Sequence, residues 1–539
     1  MLFNSFEFMF AFFPLTLLLF YALGRWSRTG ALAWLTLASL AFYAWWRPVN
    51  VLIIAPAVLV NYLLAHRLQR LASDPAKVWP GRATLLFGIL FNVLFLGYFK
   101  YVNFFYTALN DAAGTNFVLT QIILPLGISF ITFQKIAFLI DVHGGRVDRF
   151  TLQEFFLFVL FFPQLIAGPI VHYREMMPQF RQISCRFDGE HVAVGMTLFV
   201  MGLFKKVVLA DSLAAHVTPI YESAAAGHTI AFFPAWLAAV GFTLQIYFDF
   251  SGYSDMALGL ARCFGIKLPP NFDSPLKATS IIDFWLRWHM TLTRFLTAYL
   301  YNPLVLWLTR RRMAKRLPVL LGRNASWGAF VQLLAAPTLL TMFVSGLWHG
   351  AGYLYILWGL LHGVYLTINH AWRLAGPKLW PNKEQLARVM GPVGFVLTFV
   401  AVAVAMVLFR STTVPAAAGL LWGMAGLHGG GIPPELAERV AWLQPLVSTS
   451  VSLDAKEFLL SVSWVVVLSA IALLCPNSLQ LIARYEPALG IQPSPAQPLH
   501  PLRTLAWSPT LPWAIAVAGL AAVTIMRWGG KSEFLYWQF

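Results

Sequence analysis

Long apolar runs separated by short polar stretches set the pattern of this chain. A membrane span needs about 20 apolar residues, and roughly 11 to 13 stretches qualify. They lie near residues 6–24, 30–46, 50–65, 83–99, 152–171, 192–210, 229–248, 328–348, 353–371, 391–409, 457–475 and 508–526. Lipid offers no hydrogen bonds to a backbone, so these runs are expected to be helices. The runs are continuous and not alternating, which argues against a membrane β-barrel. The expected fold is therefore an all-α polytopic membrane protein with transmembrane and re-entrant helices. No internal repeat appears, and no segment is large enough for a second domain. Residues 1–539 form a single integral membrane domain, with a motif-bearing core at about 90–370 and C-terminal helices at about 390–539.

Some apolar stretches are interrupted. Residues 117–141 carry Pro125 and Gly127, 160–172 carry Pro163, Gly168 and Pro169, and 249–276 carry Gly252, Gly259, Gly265, Pro269, Pro270 and Pro275. Irregular backbone at membrane depth is tolerated where protein buries it or where it lines a cavity. These breaks predict re-entrant elements around an internal chamber. Residues 427–456 lean polar and 493–509 are proline-rich.

Composition agrees with a membrane chain. Hydrophobic residues make up 59% and charged residues 11%, against roughly 25% charged in soluble domains. The net charge is +16, yet nucleic acid is not the expected partner. The basic residues collect in short loops, the positive-inside pattern beside a lipid bilayer. Arg310, Arg311, Arg312, Lys315 and Arg316 form the tightest cluster, read as a cytoplasmic loop near anionic head groups. The run from about Phe8 to Leu23, followed by Arg25 and Arg28, reads as a retained first helix with its N-terminus outside. Cys185, Cys263 and Cys475 lack the spacing of a disulfide framework or zinc site.

Ionisable side chains inside such runs mark candidate sites, because burying them in lipid is costly. His289 lies in Phe284-Trp285-Leu286-Arg287-Trp288-His289-Met290-Thr291-Leu292. Asp283 and Arg287 are four apart, acid first, and Trp285, His289, Leu292 and Leu296 follow helical spacing. The segment Ile281 to Leu300 thus reads as one helix, which as a plain interfacial helix would leave His289 structural. His349 lies in Ser345-Gly346-Leu347-Trp348-His349-Gly350-Ala351-Gly352, where the apolar run breaks. A neutral imidazole there can accept a proton, as a base activating a hydroxyl must. It could equally bond a free carbonyl at a helix end. His362 and His370 read as packing or surface residues without metal-ligand spacing. Gln245 to Asp255 brings Tyr247, Asp249, Ser251, Tyr253 and Asp255 into an apolar neighbourhood, suggesting a polar cavity wall or a loop with aromatic anchors. His428-Gly429-Gly430-Gly431 imitates a lipase oxyanion motif, but no G-x-S-x-G elbow or Walker A pattern accompanies it.

Several of these segments, in order, resemble the membrane-bound O-acyltransferase superfamily. They are Phe95-Leu96-Gly97-Tyr98-Phe99-Lys100-Tyr101, Leu124-Pro125-Leu126-Gly127-Ile128-Ser129-Phe130 and Phe161-Phe162-Pro163-Gln164-Leu165-Ile166-Ala167-Gly168-Pro169-Ile170. Tyr247 to Met256, Asn271-Phe272, the His289 and His349 motifs and the terminal Phe534 to Phe539 complete the set. The likeness is to the bacterial branch with the alginate O-acetyltransferase membrane subunit and the D-alanyl transfer protein of teichoic acids. The chain departs from that pattern at Thr291, Phe295 and Thr297-Ala298, and in having Leu304 to Arg312 where a Gly-Gly-Asn-Arg stretch is common.

The resemblance implies roughly a dozen helices around a central tunnel and acyl transfer to a hydroxyl. It implies His349 as the catalytic residue, with His289 helping to bind or orient the reacting groups. Trp288, Trp348, Tyr247, Asp249, Ser251, Tyr253, Asp255 and Asn271 are the expected substrate-binding residues. The expected setting is a bacterial inner membrane, with no bound cofactor or metal. Acetyl-CoA or another thioester is the expected donor and an exported, alginate-like polysaccharide the acceptor, with an SGNH-type periplasmic partner enzyme. The alternatives are a polysaccharide or lipid channel without catalysis, and transfer to teichoic acid, lipid or protein.

Overall fold

The computed structural model describes residues 1–72, 74–115, 122–166, 168–319, 326–380, 382–447, 453–491, 506–529 and 535. Ala167, most of the proline-rich stretch 493–509 and all of the terminal hexapeptide but Leu535 lie outside these residues, as do 448–452. The described residues form helices and no β-strand, with an isolated bridge between Ile432 and Val447. The protein is an all-α, multi-pass membrane protein. Among the described residues, six helices are long and apolar enough to cross a membrane: Val49–Ala72, Val78–Ala113, Gly189–Ala225, Trp327–His349, Glu384–Arg410 and Ala455–Leu474. Three shorter apolar helices are Phe8–Gly24, Val414–Met424 and Leu511–Met526.

The breaks predicted at Pro125 and Gly127 precede the helix Ile128–His143, with Gly127 at φ 66°. The predicted span 152–171 is not one helix. Leu152–Leu160 ends at Phe161, a single turn follows over Phe162–Leu165, and helix resumes at Tyr173–Gln182. Pro163 cannot donate to a helical carbonyl and so starts a new turn. The Gln164 side chain instead donates to the Phe158 carbonyl at 2.5 Å.

The chain breaks after Cys263, with Gly265 at φ 78°, but Gly252 and Gly259 behave differently from expectation. Helix Phe232–Cys263 runs straight through Gly252 and Gly259, and every residue from Gly241 to Cys263 is buried. Both glycines serve close approach. A Cβ on Gly252 would lie 2.7 Å from the Gly202 carbonyl oxygen, and one on Gly259 would lie 2.4 Å from that of Gly195. The reciprocal Cβ atoms on Gly202 and Gly195 would sit 2.4 and 2.6 Å from the carbonyls of Gly252 and Gly259. Two helices thus meet backbone to backbone, the small-residue packing favoured in membranes. Gly252 and Gly259 are the fit, and not the break.

Candidate active site

The segment Ile281 to Leu300 is not one helix. Ile281–Arg287 ends at Trp288, His289 takes a left-handed conformation at φ 44° and ψ 49°, and helix restarts at Met290. The Asp283–Arg287 pair forms at 2.8 Å. The Trp285–His289–Leu292 stripe does not, because the kink turns His289 out of register. The left-handed region costs a non-glycine residue roughly 1–2 kcal/mol, so the surroundings must hold it.

Asn271 supplies that hold. Its backbone carbonyl accepts from Met290 N–H at 3.0 Å. Its Oδ1 accepts from Thr291 N–H at 3.3 Å and from the Thr291 hydroxyl at 2.8 Å, and lies 3.1 Å from His289 Nδ1. The Thr291 hydroxyl in turn accepts from Ile170 N–H at 3.0 Å. A backbone N–H only donates, so the amide atom facing Thr291 is the oxygen. His289 Nδ1 therefore carries the proton, and in the neutral ring Nε2 carries the lone pair.

His349 ends the helix Ala336–His349, where the sequence pattern breaks. It is buried, as is His289. The two imidazoles, sixty positions apart in sequence, have ring centroids 6.1 Å apart. Aromatic rings frame them. Phe250 meets His289 edge-on at 4.9 Å, and Trp348 lies 5.9 Å from His289. Trp358 and Phe409 meet His349 edge-on at 5.0 and 5.4 Å.

The expected site residues divide. Asn271, His289, Trp348 and His349 come together. Trp288 packs on Phe272 and Phe284, and Tyr247 also meets Phe272. Ser251 is buried, and Tyr253 stacks on Phe3 at 4.8 Å. Asp249 and Asp255 engage two lysines from the π-helical turn Lys205–Ala210. Lys206 lies 2.7 Å from both Asp249 and Asp211. Lys205 lies 2.6 Å from Asp255 and donates to Ser478 Oγ at 3.0 Å. The Leu535 N–H donates to Asp249 Oδ2 at 3.2 Å.

Sequence reasoning gave no role at the site to three groups here. His362, taken as packing or surface, is fully buried, and its Nδ1 accepts from Trp285 Nε1 at 3.3 Å. Trp358 stands between it and His349, 4.9 Å from the His362 ring. Lys100 reaches the backbone at Trp348 and His349. An isolated lysine in an apolar run was the available signal. Among the described residues no group of three His, Cys, Asp or Glu could hold a metal ion. A cleft of about 490 Å³ opens elsewhere, lined by His66, Gln69, Arg149, Glu154 and Arg181 among others.

Two buried imidazoles in an apolar frame suit proton transfer to or from a hydroxyl in a site shielded from water. Comparison with known proteins agrees in class. Residues 145–321 match the membrane-bound O-acyltransferase family, a stretch that includes His289 but stops short of His349. The peptidoglycan O-acetyltransferase of Helicobacter pylori is 37% identical over 458 residues, 80% of each chain. A probable alginate O-acetylase of Pseudomonas aeruginosa is 36% identical over 426 residues, 77% of this chain and 73% of that one. The teichoic acid D-alanyltransferase of Streptococcus thermophilus is 31% identical over 249 residues, 46% of this chain and 57% of that one. Matched at that level over most of its length, the chain belongs to the membrane-bound O-acyltransferase family and is a multi-pass membrane acyltransferase.

Proposed function

We propose that the protein is an O-acetyltransferase of a bacterial inner membrane. It takes acetyl from acetyl-CoA, or a similar thioester, on the cytoplasmic side, and passes it through an internal tunnel toward hydroxyls of an exported polysaccharide. A periplasmic, SGNH-type enzyme with a serine nucleophile completes delivery. The observation that carries this reading is the buried His289–His349 pair, taken with relatives named for acetylation of alginate and peptidoglycan.

In this reading His349 is the base. It takes the proton from the attacking hydroxyl, the partner's serine, as that oxygen attacks the thioester carbonyl; the partner then passes the acetyl to a polymer hydroxyl. The C–O bond forms, the C–S bond breaks, and the proton leaves with the thiolate. His289 orients the hydroxyl through Nε2, with Asn271 fixing its tautomer. Trp348 and Trp288 shape the apolar walls. Tyr247, Asp249, Ser251, Tyr253 and Asp255 form the buried helix behind them, which holds Phe250 against His289.

The test is acetate-ester content of the exported polymer in a deletion strain. Complementation with wild type is expected to restore esters. His349→Ala at matched membrane level should reduce them by about 10²–10⁴-fold, the usual contribution of general base catalysis. Polymer yield should not change. Full ester restoration by His349→Ala rules out the base role, and a collapse of polymer yield on deletion favours a transport channel.

A further inference from the structure

The helix that ends at His349 leaves its last four carbonyls, on residues 346 to 349, without partners inside the helix. In an apolar interior each one left unbonded is costly. Gly350 N–H covers the Gly346 carbonyl weakly, at 3.4 Å. The other three are met from a distant part of the chain. The Tyr101 hydroxyl donates to the Leu347 carbonyl at 2.7 Å. The Lys100 ammonium donates to the Trp348 carbonyl in a short contact and to the His349 carbonyl at 3.4 Å. All four carbonyls are thereby accounted for.

Lys100 and Tyr101 are neighbours in the π-helical turn Gly97–Tyr101 of the helix Val78–Ala113. Such turns widen a helix by one residue and recur at functional sites. An ammonium also suits the negative end of a helix. The Lys100 Nζ further lies 5.9 Å from the Trp348 ring centre, so it contacts both the backbone and the side chain just before His349.

We propose that Lys100 and Tyr101 form a helix cap supplied in trans, and that this cap positions His349 for proton transfer. Lys100 is a positioning residue in this scheme and does not touch the substrate. Its ammonium fixes the carbonyl of His349 itself, which sets where the imidazole sits relative to His289. The inference rests on His349 being the base of the proposed reaction.

The experiment follows transfer of labelled acetyl from acetyl-CoA to exported polymer in inverted membrane vesicles that contain the partner proteins. Wild type, Lys100→Met, Lys100→Arg and Tyr101→Phe are compared, with thermal unfolding of each in detergent. Lys100→Met is expected to lower the maximal rate by about 10-fold or more with an unchanged KM for acetyl-CoA, the pattern of a lost transition-state contribution. Lys100→Arg keeps a cation and should recover most of that rate. Tyr101→Phe removes one of the donors and should give a smaller loss. A Lys100→Met enzyme that turns over like wild type overturns the proposal. So does one whose KM rises at unchanged rate, which would make Lys100 a donor-binding group. If Lys100→Met does not fold, the Tyr101→Phe rate decides, and no loss there overturns the cap. Wild-type vesicles that transfer no acetyl from acetyl-CoA count against the proposed function instead.

Discussion

At the scale of single residues, one amide organises much of the chemistry. Asn271 Oδ1 gathers the Thr291 N–H, the Thr291 hydroxyl and His289 Nδ1. Asn271→Leu would remove that acceptor and leave two buried donors of Thr291 unsatisfied. We expect a fall in acetyl transfer of about 10- to 100-fold, by analogy with the loss of partners that orient metal-bound imidazoles. Asn271→Asp keeps an acceptor and should lie closer to wild type. Transfer by a folded Asn271→Leu protein at the wild-type rate would separate His289 from this support. The histidines were legible in the sequence because ionisable groups stand out in apolar runs. Their partners were not. Asn271 was picked out through the family resemblance but not as the acceptor that holds His289, and Lys100 meets His349 across 249 positions. Nothing local in the sequence reports such a contact.

At the scale of elements, periodicity located most helices and misjudged some of their interruptions. Glycine costs about 1 kcal/mol in a helix relative to alanine, so Gly252 and Gly259 suggested breaks. The close approach of Gly195 and Gly202 outweighs that penalty. A prediction follows for this contact. Gly202→Val would place a Cβ 2.4 Å from the Gly252 carbonyl and 2.7 Å from Met256 N, both backbone atoms that cannot swing away. We expect destabilisation of about 3 kcal/mol or more, the upper range for overpacking, measured as loss of folded protein in detergent. Gly519, with open space around its Cβ, is the control. Equal tolerance at both sites would show that the two helices can separate. The opposite error occurred at Ile281 to Leu300, where an unbroken helical pattern hid the kink at His289. A left-handed residue there is imposed by tertiary bonds, which periodicity does not register.

At the scale of the whole molecule, the all-α membrane fold was readable from composition and run length alone. How the helices pair was not. The buried ion pairs show what that pairing contributes. Lys205 and Lys206, from one helix, hold Asp255 and Asp249 of the next, and Leu535 and Ser478 join from far along the chain. Removing one partner of a buried pair strands the other charge. Lys206→Met should therefore cost about 3–5 kcal/mol. Lys206→Met combined with Asp249→Leu should recover a large part of that loss. Thermal unfolding of the single and double variants checks this. A single variant as stable as wild type would mean that water and the Leu535 N–H suffice to hold the stranded carboxylate.

The left-handed backbone at His289 has a consequence for how this position can change over generations. Glycine is the residue that conformation tolerates best, so the backbone itself does not call for an imidazole at this position. Only pressure for activity keeps an imidazole there. A lineage that no longer needed acyl transfer would be expected to lose His289 early.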